Sequence, residues 1–189
     1  MQLVRPAVCL LVLMTALLGF VYPLAITGIS RVVFPRQADG NLIHVDGKLV
    51  GSRLIGQAFS EPKYFWGRPS ATGPFPYNAI ASGGSNLGPV NPALLDNVNA
   101  NAKALRQADP ENTQPIPVEL VTASASGLDP EISPAAAAYQ AGRVARARGL
   151  RLSEVQSLIR AHQQDRLLGF IGEPRVNVLE LNLALDQHR

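Results

Sequence analysis

The residues best suited to chemistry form a hydroxyl-rich turn at 122–130 (TASASGLDP) in this chain of 189 residues. The turn joins a predicted strand to a predicted helix. Such turns direct backbone N–H groups and hydroxyls at one point beside a positive helix terminus, where an anion could bind. Ser, Gly, Asp and Pro are also the residues that any tight strand-to-helix connection requires. The residue types alone favour this second, structural interpretation.

Two further sets of polar residues also allow either a functional or a structural interpretation. The segment 82–86 (SGGSN) is a flexible turn that could hold a ligand, although a structural role is more common for such turns. Four arginines at 143, 146, 148 and 151 form a partly one-sided basic patch. Such a patch could contact acidic partners or lipid head groups, but it is more often the solvated face of a helix.

No independent catalytic apparatus is evident in the sequence. The phosphate-binding pattern GxxxxGK followed by Ser or Thr does not occur, and neither does the GxSxG nucleophile pattern. The three histidines are far apart and lack metal-ligand spacing, and the single Cys lies in an apolar stretch. A net charge of +3, from 17 basic and 14 acidic residues, is too weak to indicate nucleic-acid binding. We therefore expect a subunit or binding module rather than an enzyme, with no metal and no tightly bound cofactor.

The apolar stretch Ala7–Ile29 predicts a membrane anchor. It has 23 residues and no charge, and as a helix it would span roughly 35 Å, against about 30 Å for a hydrocarbon core. A cleaved signal has a shorter apolar core and a small-residue cleavage site, which is poorly matched here. We assign residues 1–36 to the anchor and its flanks. Arg5 before it and Arg31 and Arg36 after it nearly balance, so the charges do not determine its orientation.

Residues 37–189 predict one small α+β domain. Asp46-Gly47 between two alternating runs indicates a β-hairpin. Asn91-Pro92 begins a helix that should run to about Ala108, and the alternating segment Ile116–Thr122 is read as a strand. The stretch from 59 to 86 is a long Gly- and Pro-rich loop, and its six aromatic residues argue against disorder.

Three more helices are expected toward the C-terminus. Ser133 caps a helix that ends at Arg148 before Gly149. Ser153 with Gln156 forms a capping box for a helix ending near Gly169. Asn177 with Glu180 forms another, although the tail after it fits a helix or an alternating strand, with a helix favoured.

Seven blocks in fixed order cover nearly the whole chain. They are Tyr22-Pro23, GSRLIGQ at 51–57, RPSA at 68–71, SGGSNL at 82–87, VELVTASASGLD at 118–129, RVARAR at 143–148 and VNVLELN at 176–182. Each block is weak alone, but together they are specific. The chain resembles the family of the C subunit of the Kdp potassium-transporting ATPase of bacteria.

The resemblance implies an accessory subunit that hydrolyses nothing itself. Its partners would be a K⁺-channel-like subunit, a P-type ATPase subunit and a very small single-span subunit in the bacterial inner membrane. It would support assembly and activity, and act as a catalytic chaperone that raises the ATPase subunit's affinity for ATP. The implied nucleotide contacts are Ser124, Ser126, Gly127 and Gln140, and the implied partner contacts are Arg68, Ser82, Gly83, Gly84, Ser85 and Asn86.

The implied topology conflicts with direct contact to ATP. The family's N-terminus is usually placed in the cytoplasm, which puts the soluble domain outside, where there is no ATP. From the residues alone, a stand-alone anchored binding domain outside the cytoplasm is the alternative function.

Overall fold

The computed structural model describes residues 3–188, which fall into two compact units that divide between Val50 and Gly51. The first unit begins with one continuous helix, Val4–Val33, of 30 residues. Its mean hydropathy is 2.4 and none of its apolar window is buried, so it is long and apolar enough to cross a membrane. The predicted N-terminal apolar helix is confirmed.

The long helix changes its winding just before a proline. It consists of α1 (Val4–Ala16), a π-helical turn (Leu17–Val21) and α2 (Tyr22–Val33). The N–H of Tyr22 donates to the carbonyl of Leu17, five residues back. A proline ring crowds the carbonyl four residues before it, and the wider turn lies directly before Pro23. The helix thus continues through Pro23 to Val33.

A short helix and a hairpin follow. They are α3 (Pro35–Ala38), β1 (Leu42–Val45) and β2 (Lys48–Ser52), and the two strands pair with each other. Asp46 and Gly47 between the strands have φ values of 50° and 76°. Two positive φ angles are what a two-residue hairpin turn requires, and Asp-Gly supplies them readily. The predicted hairpin is confirmed.

The described part of the second unit contains four α-helices. They are α4 (Pro92–Ala108), α5 (Pro134–Arg148), α6 (Leu152–His162) and α7 (Val178–Gln187). The predicted N-caps are present: Asn91 accepts from Ala93 N–H, Ser133 from Ala136 N–H, and Asn177 from Glu180 N–H. The predicted helical tail is therefore confirmed.

A small antiparallel sheet completes the α+β architecture. Its strands are β3 (Glu131–Ile132), β4 (Gln163–Gln164) and β5 (Arg175–Asn177), in the order β3-β5-β4. Val176 lies at its centre, opposite Ile132 on one side and Gln163 on the other. Because β5 continues directly into α7, the sheet fixes where the last helix starts. The predicted fold class is confirmed.

Two predicted elements are wrong. The segment Ile116–Thr122 is not a strand, because its middle forms a 3₁₀ turn, Val118–Leu120. Pro115 and Pro117 lack the N–H groups that a neighbouring strand would need, and Thr122 bonds back to the Val118 carbonyl.

The predicted capping of α6 also differs from the structure. Glu154 rather than Gln156 folds back, and its carboxylate accepts from the N–H of Arg151 at 2.9 Å. The helix ends at His162, seven residues before Gly169, because the chain turns into β4 there.

The hydrophobic core lies in the second unit, among α5, α6, α7 and the three-stranded sheet. Small residues on α5, such as Ala136, Ala137 and Ala141, allow its neighbours to pack closely. The largest fully buried apolar side chains are Phe65, Ile132, Val144, Val155, Val176, Leu181 and Leu185. Of these, Phe65 comes from the long loop rather than from a helix or strand, so the core also holds that loop in place.

Candidate functional site

The loop residues 62–66 (PKYFW), here called the clamped segment, are held by two side-chain amides. Asn182 on α7 accepts from Phe65 N–H at 2.8 Å and donates to its carbonyl at 3.0 Å. Gln140 on α5 does the same for Trp66, at 2.8 and 3.0 Å. Two amides thus replace the neighbouring strand that an extended segment normally pairs with.

Arg143 on α5 fixes the start of the clamped segment. Its Nη1 donates to the carbonyls of Pro62 and Tyr64 at 2.7 and 3.1 Å, and its Nη2 donates to Gln140 Oε1 at 2.7 Å. The guanidinium also lies 4.5 Å from the centre of the Trp66 ring. Burial lowers the pKa of Arg143 to about 10, so it remains charged at neutral pH. Its charge is buried but compensated by acceptors on three sides.

Arg148 fixes the same segment from one turn further along α5. It donates to the carbonyls of Lys63 and Leu185 at 2.7 and 3.0 Å and pairs with Asp186 at 2.7 Å. Its guanidinium lies 4.9 Å from the centre of the Tyr64 ring. The reading of the four arginines as a solvated face is therefore wrong for Arg143 and Arg148, whereas Arg146 and Arg151 are exposed. The other two are also paired: Arg146 with Asp109, and Arg151 with Glu154.

The two polar turns singled out in the sequence contact each other through residues 82–86 and 124–127, which are here called the paired turns. The Ser126 carbonyl accepts from Gly83 N–H at 2.8 Å and from Ser82 Oγ at 3.0 Å. Gly84 is required by space, since a Cβ there would lie 2.8 Å from the Ala125 carbonyl oxygen. Turns whose bonded residues Ser82 and Ser126 are 44 positions apart therefore form one surface.

Gly127 closes the paired turns. Its φ is +68°, and a Cβ there would lie 2.6 Å from the Gly83 carbonyl oxygen. Its carbonyl accepts from Ser70 Oγ at 2.7 Å. Both the backbone conformation and the available space therefore demand glycine.

The two serines of this stretch have different surroundings. Ser124 is only 2% exposed, and its hydroxyl has no hydrogen-bond partner among residues 3–188. Its backbone N–H donates to the Pro69 carbonyl at 3.1 Å. Ser126 is exposed, and its hydroxyl accepts from Leu128 N–H at 3.1 Å.

Arg68 and Tyr77 join the long loop to the paired turns. Arg68 donates to Asp129 at 3.2 Å, and its carbonyl accepts from the Tyr77 hydroxyl at 2.6 Å. Tyr77 N–H donates to Ser70 Oγ at 2.9 Å. Burial raises the pKa of Tyr77 to about 12, with the Asp129 charge adding to the effect.

A cavity of about 220 Å³ lies between α4 and residues 69–71 and 121–123, with Ser85 of the paired turns at its edge. No charged side chain lines it in the described part of the chain, and its polar lining residues are Ser70, Ser85, Asn97, Asn101 and Thr122. The cavity is smaller than typical ligand pockets of about 300–1,000 Å³. It can hold a small neutral group or a few water molecules.

The predicted site residues fall into two places. Ser124, Ser126, Gly127 and the partner-contact residues 82–86 lie in the paired turns, with Arg68 bonded to the adjacent Asp129. Gln140 is 1% exposed, and its hydrogen bonds go to Trp66, Ala136 and Arg143 rather than to the paired turns. The assignment of these residues to nucleotide or partner stays a prediction.

Sequence reasoning missed one surface, a hairpin end at 167–171, because it extended the predicted helix to about Gly169. Its four large apolar side chains are exposed. Gly169 and Gly172 interrupt this apolar run and have φ values of 83° and 81°. Those two glycines were a signal against a continuous helix.

The described residues define a class of protein with one N-terminal apolar helix that could span a membrane, followed by a small α+β domain built around a clamped loop. Comparison with known proteins makes the assignment specific. A family model described as K⁺-transporting ATPase, c chain, matches residues 4–187. The chain belongs to this family, as the ordered sequence blocks predicted.

The relatives are similar along their whole length. A chain from Dechloromonas aromatica is 64% identical over 184 residues, covering 97% of this chain and 96% of the relative. Chains from Herminiimonas arsenicoxydans and Variovorax paradoxus are 62% identical, covering 97% and 98% of this chain and 97% and 96% of themselves. All three are named potassium-transporting ATPase KdpC subunit.

Proposed function

We propose that this chain is a non-catalytic accessory subunit of an ATP-driven, high-affinity potassium import complex, required for the assembly and activity of that complex. Family membership and the names of the relatives support the complex to which it is assigned. The observation that supports the accessory role is that buried polar side chains serve the structure of the domain itself. Gln140, Arg143 and Asn182 all bind the domain's own backbone. They build a rigid surface rather than a reactive centre.

The paired turns are the proposed contact surface for a partner subunit. They present exposed hydroxyl and backbone groups on a rigid base. Ile80 and Val90 flank the 82–86 turn in sequence and are 96% and 97% exposed. Apolar side chains among polar groups are typical of protein interfaces.

We further propose that the subunit raises the affinity for ATP indirectly, through contacts with the other subunits. A polyphosphate is normally bound by Lys, Arg or free backbone N–H groups. The cavity beside the paired turns has no cationic side chain among the described residues. The Gln140 amide is occupied on both its oxygen and its nitrogen. Both observations favour indirect transmission over contact with nucleotide.

Co-purification tests the accessory role. The tagged chain is extracted in mild detergent from cells grown at limiting K⁺. We expect larger membrane subunits to accompany it and the preparation to show K⁺-stimulated ATPase activity. We also expect deletion of the gene to abolish growth at micromolar K⁺. A chain that purifies alone, with growth intact after deletion, would contradict the proposal and support a stand-alone binding domain.

A matched pair of variants tests indirect transmission. Gln140→Ala and Asn182→Ala each remove one amide that holds the clamped segment. Indirect action predicts that both reduce the amount of assembled complex and leave the KM for ATP of the remaining complex unchanged. A higher KM in Gln140→Ala alone would contradict this and support direct nucleotide contact.

We also propose that the domain lies outside the cytoplasm, in a chain anchored in the inner membrane with its N-terminus in the cytoplasm. The resemblance to the family supports this orientation. A C-terminal alkaline phosphatase fusion, which is active only outside the cytoplasm, should be active. An inactive fusion that is expressed at the same level would overturn the orientation.

A further inference from the structure

The hairpin formed by β4 and β5 ends in an apolar turn. Beyond the paired strands, Leu167 and Ile171 exchange two backbone hydrogen bonds, each 2.9 Å long. These bonds extend the hairpin and set its end. The large apolar side chains there are Leu167, Leu168, Phe170 and Ile171, here called the apolar tip.

All four side chains of the apolar tip are exposed. Leu167, Leu168 and Phe170 are 65%, 76% and 72% exposed, and Ile171 is 48% exposed. A single exposed leucine is ordinary on a protein surface. Four large exposed apolar side chains within five residues concentrate apolar surface at one end of a hairpin, and such concentrations mark interaction sites.

The backbone conformation of the apolar tip indicates that the side chain of Leu168 has a function of its own. Leu168 has φ +55° and Gly169 has φ +83°. Glycine or asparagine adopts this left-handed conformation readily, whereas leucine does so at a cost. The turn alone would therefore be better served by a different residue. A use for the exposed side chain outside the domain accounts for its presence.

The charges around the tip favour a protein partner over a lipid surface. Arg166 pairs with Glu173 at 2.6 Å, and Arg175 pairs with Glu131 at 2.9 Å. Loops that enter anionic membranes place unpaired basic residues beside their apolar groups. Here both neighbouring arginines are neutralised, and Asp165 adds a negative charge. A neutral, polar rim around an apolar centre with an exposed Phe is the composition of a protein interface.

We propose that the apolar tip docks into an apolar, uncharged recess on another protein subunit of the same transport complex. This inference rests on the proposed accessory function. It adds a second contact surface, distinct in sequence and chemistry from the paired turns. The tip supplies a protruding apolar anchor, and the ion pairs around it supply the rim.

Photo-crosslinking identifies the neighbour of the tip directly. Phe170 is replaced by p-benzoylphenylalanine in the full chain, and membranes that contain the whole complex are irradiated. We expect one covalent adduct whose second component is another subunit of the complex, identified by mass spectrometry. An adduct with lipid only, an adduct with a second copy of this chain, or no adduct would overturn the proposal.

A variant separates docking from folding. Leu168→Asn removes the apolar side chain but suits the left-handed backbone, so the unfolding midpoint of the purified chain should not fall. We expect the other subunits recovered per tagged chain to drop about tenfold or more, as for loss of an interface anchor. Val118→Asn is the control, because Val118 is also 71% exposed and lies in the 3₁₀ turn. It should leave recovery unchanged.

The outcomes separate the two proposals. If the wild-type chain recovers no other subunit, the accessory function fails. If the wild-type and Leu168→Asn chains recover the other subunits equally, only the docking inference fails.

Discussion

The surroundings of the clamped segment and the apolar tip both depart from the usual placement of polar side chains outside and apolar side chains inside. Beneath the clamped segment, an arginine and two amides on α5 and α7 are buried, and they bind the backbone of that segment. At the apolar tip, two leucines, a phenylalanine and an isoleucine face outward. Both segments lack long helices or strands, yet each is held by defined hydrogen bonds.

The difference shows how a small domain can serve as a subunit. Polar side chains supply internal rigidity where the loop has no neighbouring strand. Apolar side chains that a self-sufficient domain would bury are left for a partner. The clamped segment should therefore be sensitive to substitution in the isolated chain, whereas the apolar tip should be sensitive only in the complex.

The largest expected effect is on the clamped segment. Gln140→Ala leaves the N–H and carbonyl of Trp66 without partners and removes an acceptor from Arg143. We expect the free energy of unfolding to fall by about 3 kcal/mol, measured by urea denaturation. Gln107→Ala on the exposed side of α4 is the control and should change stability by less than about 0.5 kcal/mol. Equal effects of the two substitutions would show that the amide clamp is dispensable.

The next effect is in the paired turns. Gly127→Ala forces a Cβ toward the Gly83 carbonyl at a φ of +68°. We expect a loss of about 2 kcal/mol in the free energy of unfolding. Gly83→Ala provides the control, because nothing lies within 4 Å of a Cβ built there. If both variants unfold at the same urea concentration, the close packing of the turns has no energetic role.

A third effect depends on pH. The pKa of Tyr77 is raised to about 12, so the folded protein holds this proton to a higher pH than the unfolded chain, whose tyrosines titrate near 10. The contribution of Tyr77 to stability is complete below about pH 10 and is lost as the pH rises toward 12.

Urea unfolding at pH 8 and pH 11 measures this loss. It should be smaller in Tyr77→Phe than in the wild-type chain. Tyr64 and Tyr139, whose pKa values are also raised by burial, are present in both proteins and cancel. An identical pH dependence in the two proteins would contradict the assignment to Tyr77.

The smallest effect has the opposite sign and belongs to the apolar tip. In the isolated chain, Leu168→Asn should raise the free energy of unfolding by about 0.5–1 kcal/mol, because asparagine accepts the left-handed backbone more easily. Thermal or urea unfolding of the purified chain measures this gain. A loss of stability would show that Leu168 packs within its own domain and would weaken the contrast with the clamped segment.

The starts of α4, α5 and α7 were predictable because their signals are local. Asn91-Pro92, Ser133-Pro134 and Asn177 each act within one turn of chain, and each occupies the predicted cap. The apolar helix and the Asp46-Gly47 hairpin are equally local. The strand predicted at 116–122 failed because alternation of residue types was given more weight than the two prolines.

The candidate site was only partly predictable, because its contacts are distant in sequence. The polar turns were recognised separately, but nothing in the sequence shows that Ser126 meets Gly83. Gln140 could not be identified as a clamp, since its partner Trp66 lies 74 residues away. The apolar tip was missed because an apolar run resembles the buried face of a helix until its neighbours are known.

The side-chain amides of Gln140 and Asn182, which hold the clamped segment, also determine when the domain can fold. Trp66 and Phe65 bind residues 74 and 117 positions later in the chain. During synthesis the long loop therefore lacks its partners until α5 and then α7 have been made. Contacts of such separation are slow to form, because a large loop must close first. We therefore expect this domain to complete its folding only after the last helix has been made, and a chain ending before Asn182 to leave the loop open to proteases.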